Sequence, residues 1–93
     1  MKYVHTIRRI MMLDNAINRL MTHASHYDTE RYDDIEDRLW AKRKMLSESL
    51  KEFTSCPDRT NREHRRYYAN RRKQVKLACK LLGVDYYEII RGY

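Results

Sequence analysis

The chain has 93 residues, with 20 Lys and Arg against 13 Asp and Glu, a net charge of +7. That length suits one domain, residues 1–93, with a modest core, and two glycines and one proline are too few for the frequent turns of a sheet protein. No apolar run approaches the ~20 residues of a membrane span, which excludes a transmembrane protein.

The first segment, from about Tyr3 to His23, repeats apolar residues at Ile7, Ile10, Met11, Leu13, Ile17, Leu20 and Met21. Steps of three and four place them on one face of an amphipathic helix. MKYVHTIRRIMML has a basic flank but neither the apolar stretch nor the small-residue cleavage site of a signal peptide. The expectation is a soluble, cytoplasmic protein.

Ala24 to Asp28 reads as a turn, with Ser25, Asp28 and Thr29 as candidate caps for a second helix, since their oxygens accept from orphan amide groups. Glu30, Asp33 and Asp34 in its first turns complement the helix dipole. This helix runs to about Phe53 with an apolar face of Tyr32, Ile35, Leu39, Leu46, Leu50 and Phe53. Trp40 and Met45 flank it, Lys42 interrupts the seam, and Arg43 and Lys44 complete a small basic cluster. The methionines Met11, Met12, Met21 and Met45, with Trp40, read as core.

Thr54 to Asp58 breaks the helix, because the residue before Pro57 is pushed from helical angles. Thr60 and Glu63 match the capping box S/T-x-x-E, which starts a third helix near Asn61. Gly83 fits the left-handed position after its last turn, with Val84 packing back. Asp85 can then cap a short final helix, Tyr86 to Arg91. In the third helix Asn61 to Arg66 has no apolar residue, whereas Tyr68, Val75, Ala78, Leu81 and Leu82 can face a core. The expected fold is all-α: an antiparallel helical hairpin, a third long basic helix and a short C-terminal helix in a small bundle. Oligomerisation, most simply a homodimer, is one remedy for a small core.

The charge is concentrated. Arg59, Arg62, Arg65, Arg66, Arg71, Arg72, Lys73, Lys76 and Lys80 lie in one run with a single acid, Glu63, for a local charge of +8. Everything outside this run sums to −1. Most of these cations wrap a broad face rather than a narrow stripe. Tyr67 and Tyr68 sit among them, and a tyrosine ring can stack on an unpaired base while arginine pairs with phosphate. The first reading is a nucleic-acid-binding protein, DNA or RNA, whose site is these nine cations with Tyr67 and Tyr68. Affinity would come from phosphate contacts and counterion release.

A rival claimant for the same charges is the acidic patch Asp28, Glu30, Asp33, Asp34, Glu36 and Asp37. It could neutralise the basic run within one chain or join two chains. The small size and dipolar charge also resemble small regulatory or phage-encoded effectors, which implies the alternative function of binding an acidic protein partner. The segment from Ala78 to Ile89, with Cys79, Gly83 and Ile89 at spaced positions and Leu82 and Val84 beside the glycine, resembles a helix-turn-helix. It departs from that pattern in its second helix, which offers Tyr86, Tyr87 and Glu88 and only Arg91 as a cation.

No metal or cofactor is expected. His23 and His26 share an HxxH spacing in a turn without a second ligand pair. Cys56 and Cys79 match no zinc or redox spacing and read as reduced thiols. A Gly-rich phosphate loop, GxSxG and HExxH are all missing, so the chain is read as non-enzymatic.

Overall fold

The computed structural model describes residues 2–90. It contains α1 (Lys2–Thr22), α2 (Thr29–Thr54), α3 (Arg62–Leu82) and α4 (Tyr86–Ile90), with a single 3-10 turn at Ala24–His26 and no strand among the described residues. The all-α bundle expected from the sequence is the fold observed. Arg91, placed in the last helix by its sequence, lies outside the described residues.

Local chemistry sets the boundaries. Asp28 caps α2 by accepting the Arg31 N–H at 2.8 Å. At the start of α3 the capping box does not form. Asp58 captures Thr60 instead, accepting its hydroxyl at 2.5 Å and its N–H at 3.0 Å. Asn61 takes over as the cap, accepting from the N–H groups of Glu63 at 3.0 Å and His64 at 3.3 Å. The two bonds from Thr60, chiefly the one from its hydroxyl, hold the exposed Asp58 carboxyl below its ordinary range. Gly83 ends α3 at φ 72°, a conformation that favours glycine. Its N–H and that of Val84 close back on Lys80 and Cys79 carbonyls at 3.2 and 3.0 Å, which is the expected Schellman arrangement.

The core lies at one end of the α1–α2 hairpin. Ile7 and Ile10 of α1, Leu50 of α2, Val75, Ala78 and Cys79 of α3, and Ile89 of α4 form one buried cluster. Fully burying an isoleucine contributes roughly 1.5–3 kcal/mol, so Ile7 and Ile10 anchor α3 to the hairpin. Burial also pushes the Cys79 thiol up, with the Asp85 charge adding to it. The far end of the hairpin holds the buried Ile17 and Leu20. The molecule measures 54 × 26 × 18 Å with a radius of gyration of 16.0 Å, against about 12 Å for a compact chain of this length.

Several side chains depart from the expected core. Met12, Met21 and Met45 are exposed, and Leu81 is 74% exposed. The interruption in the α2 seam is Arg43, not Lys42. Arg43 follows Leu39 by four residues and precedes Leu46 by three, so the helical period aims it inward. It is 1% exposed. Its Nε donates to Asp14 Oδ1 at 2.5 Å, Nη2 to Asp14 Oδ2 at 3.3 Å and to the Glu88 carbonyl at 3.0 Å, and Nη1 to Ser47 Oγ at 2.8 Å. One guanidinium thus ties α1, α2 and α4 together, and its planar fork suits that geometry better than an ammonium would.

Candidate nucleic-acid interface

The basic residues of α3 divide by what their side chains touch. Arg71 and Arg72 turn toward α2. Their Nη1 groups donate to the Phe53 carbonyl at 3.2 Å and the Thr54 carbonyl at 3.1 Å. These are among the last carbonyls of α2, which have no partner within their own helix. A cation there also meets the negative end of the helix dipole. The Arg71 guanidinium lies 4.0 Å over the Phe53 ring and 4.3 Å over the Tyr67 ring, and donates to the Tyr67 hydroxyl. Both arginines are half-buried.

The two tyrosines sit at this joint. Tyr67 and Tyr68 meet edge to face, with ring centres 5.4 Å apart and planes at 89°. Tyr68 is half-buried. Tyr67 is 54% exposed, so of the two it is the ring more open to a base.

The other helical cations face outward. Arg62, Arg65, Arg66, Lys73, Lys76 and Lys80 are exposed. At 100° per residue, these six and Arg72 fall within an arc of roughly 120°, opposite Ala78 and bordered on the Arg72 side by Cys79. With Arg71 on the core side, the face is narrower than the run of nine suggested. All of residues 61–67 are exposed, as expected for a polar half that leaves the core. Arg59 sits just before the helix and is exposed as well.

Within one chain the acidic patch does not pair with these charges. Among the described residues no ion pair joins residues 28–37 to residues 59–80. Asp34 pairs with Arg38 one turn along α2 at 3.3 Å, and Asp14 pairs with Arg43. From Asp37 to the end of α2 at Thr54 the helix advances about 25 Å, and α3 begins only beyond that end. Only the first turns of α3 are thereby set about three Debye lengths from the patch at physiological salt, since Val75, Ala78 and Cys79 pack back against the hairpin.

One groove adjoins the stripe. Lys51, Thr54, Ser55 and Cys56 from the end of α2, Arg59 from the connection, Arg65 and Arg72 from α3, and Tyr86 and Ile90 from α4 line an open cavity of about 470 Å³. A second groove, about 430 Å³, lies between α1 and α2 and is lined by Arg9, Met12, Leu13, Lys42, Met45 and Leu46. The His23 and His26 rings lie 5.6 Å apart with their planes tilted by 48°. No cluster of three or more potential metal ligands occurs among the described residues. Cys56 and Cys79 are free thiols, and no described helix is long and apolar enough to cross a membrane.

Comparison with known proteins finds no matching family model, no matching curated protein and no matching solved structure. The functional reading therefore rests on the chemistry of this surface.

Proposed function

We propose that the chain is a small, non-enzymatic nucleic-acid-binding protein that holds phosphates along the outer stripe of α3. Arg62, Arg65, Arg66, Lys73, Lys76 and Lys80 supply the charge, while the Tyr67 ring, with the Arg71 guanidinium 4.3 Å over it, lies on the other side of the helix and off the phosphate track. Arg71 and Arg72 shape the site by fixing α3 to α2. The observation that carries the reading is the placement of the charge. Arg62, Arg65 and Arg66 crowd the N-terminal turns of α3, where the helix dipole disfavours cations, and no acid of the chain pairs with them among the described residues. Such an arrangement lowers helix stability and offers an anion a strong local field. Recognition would be by charge and shape, for DNA or RNA, since the stripe has no set of side chains arranged to read base edges.

The test is binding of wild type and Arg62→Ala/Arg66→Ala/Lys73→Ala to duplex DNA, single strands and structured RNA over a salt series. The triple variant should keep its helical circular dichroism, bind more weakly to every sequence, and show a logarithmic salt slope shallower by about 3. No binding by wild type at low salt to any of the three ends the proposal.

A second reading rests on the groove between α1 and α2. Met12 and Met45 are exposed there with Arg9 and Lys42 at the edges, and methionine surfaces repack readily around a partner. An acidic amphipathic helix of a regulated protein would suit it. Association that survives nuclease treatment belongs to this surface rather than to α3. The homodimer stays with the first proposal, because pairing two copies through the exposed Leu77 and Leu81 would double the basic surface.

A further inference from the structure

The groove at the end of α2 has a different chemistry from the stripe beside it. The stripe is convex, and every charged residue in it is cationic. The groove is concave, with Lys51, Arg59, Arg65 and Arg72 around it, the Tyr86 ring and Ile90 on the α4 side, and no carboxylate among its lining residues. Its size falls within the range of small-ligand sites. We infer that it is a socket for the terminal phosphomonoester of a nucleic-acid strand, with the end nucleotide's base on the Tyr86 side. This inference rests on the nucleic-acid reading of α3 and narrows it to a preference for phosphorylated ends.

Three observations converge on a doubly charged group. First, the wall is already prepared for an anion. The Phe53 and Thr54 carbonyls at the C-terminus of α2 would repel one, but Arg71 and Arg72 cover them. Second, the threonine and serine hydroxyls are spoken for. Thr54 Oγ1 donates to the Leu50 carbonyl at 3.0 Å and Ser55 Oγ to the Lys51 carbonyl at 2.6 Å. Side-chain donors to a ligand are therefore chiefly the cations, with the Tyr86 hydroxyl beside them, which favours a charged oxygen over a neutral one. A phosphomonoester carries about −1.5 to −2 charges at neutral pH, against one for an internal phosphodiester, so the four cations that line the groove favour the former. Third, the groove and the stripe are continuous. Arg65 and Arg72 belong to both, and one helical turn beyond Arg72 the Lys76 ammonium lies 5.2 Å from the Tyr86 ring. A strand following the α3 stripe toward α4 runs into this cavity, where its last nucleotide finds an aromatic ring and its phosphate finds Lys51 and Arg59.

The experiment compares one oligonucleotide bearing a 5′-phosphate, a 3′-phosphate or hydroxyls at both ends, measured by fluorescence anisotropy with wild type, Lys51→Ala and Arg59→Ala. Both substituted side chains are exposed, and circular dichroism checks each fold. The expected result is about tenfold tighter binding of one phosphorylated form than of the hydroxyl form, with that ratio falling toward one in both variants. A nucleoside 5′-monophosphate should compete with the phosphorylated strand at least tenfold better than inorganic phosphate or O-phosphoserine. A wild-type ratio near one with sound binding of the hydroxyl strand overturns the socket and leaves the α3 reading standing. Binding of only the phosphorylated strands supports the socket, with the stripe too weak to hold a strand without it, while no binding of any strand overturns both. Equal competition by inorganic phosphate or O-phosphoserine removes the terminal nucleotide as the ligand and overturns the inference.

Discussion

Arg43, in the middle of α2, and Arg66, in the first half of α3, carry the same side chain into opposite surroundings. Arg43 is 1% exposed and gives hydrogen bonds to Asp14, Ser47 and the Glu88 carbonyl. Arg66 is exposed, on a stretch of helix with no buried residue until Val75. The first arginine is held by the fold, and the second is presented by it. Arg71 and Arg72 lie between these extremes, each half-buried against the end of α2. The basic character of this chain is therefore not one property. Part of it is internal structure, and only the remainder is available to a partner.

The largest expected effect comes from breaking the buried end of that comparison. Arg43→Ala removes the partner of Asp14 and leaves Ser47 and the Glu88 carbonyl without their donor. Losing one member of a buried pair costs roughly 3–5 kcal/mol. Because the Asp14 side chain is 36% exposed, water recovers part of that, and a loss of about 3 kcal/mol is expected from urea titration. This is a large share of the 5–15 kcal/mol typical of a whole domain. Arg43→Lys should recover little, since an ammonium cannot serve three elements with one planar fork. A loss under about 1 kcal/mol for Arg43→Ala would mean that packing, not this guanidinium, joins α4 to the hairpin.

The position of Arg43 was open to arithmetic from the sequence, because Leu39 and Leu46 fix the inward face of α2. Its partners were not. Asp14 lies on another helix, and the Glu88 carbonyl belongs to the short α4, so both contacts depend on how the helices pack. The cap of α3 shows a subtler limit. Thr60 and Glu63 satisfy the capping pattern, but two residues earlier Asp58 competes for the same threonine and wins, leaving Asn61 to act. Local patterns rank candidates without revealing such competition. The division of the basic run had the same character. The helical period separates Arg71 from the outward stripe, whereas the capping role of Arg72 requires knowing that the end of α2 sits beside it. The helices, their order and most of the Ile and Val core were legible because three- and four-residue spacing survives any packing arrangement.

An intermediate effect is expected at the joint. Arg71→Ala removes a charged hydrogen bond to the Phe53 carbonyl and the stacking of the guanidinium on the Phe53 and Tyr67 rings. With the side chain half-buried, solvent screens part of both terms, and about 1 kcal/mol is the expected cost. The more telling readout is local. Amide exchange in the first half of α3 should speed up while that of the Ile7 and Val75 core tracks only the small global change. Uniform exchange across α3 would show that the helix start is held by something other than this joint.

The smallest effect, and the one with an unusual sign, belongs to the presented arginines. Arg62 and Arg66 stand four residues apart, where like charges destabilise a helix by roughly 0.2–0.5 kcal/mol, and both sit near the positive end of the α3 dipole. Neither makes an ion pair among the described residues. Arg62→Ala/Arg66→Ala should therefore leave stability unchanged or raise it by up to about 0.5 kcal/mol at low salt. The gain should shrink as salt screens the repulsion. Measured beside Arg43→Ala, this pair of substitutions isolates what the fold requires from what it merely carries. A stability loss above about 1 kcal/mol would show that the exposed arginines are structural, and the case for a partner at that surface would fall with it. A neutral or favourable change leaves charge held in an unfavourable place with no internal role, which is what a binding surface for an anion demands.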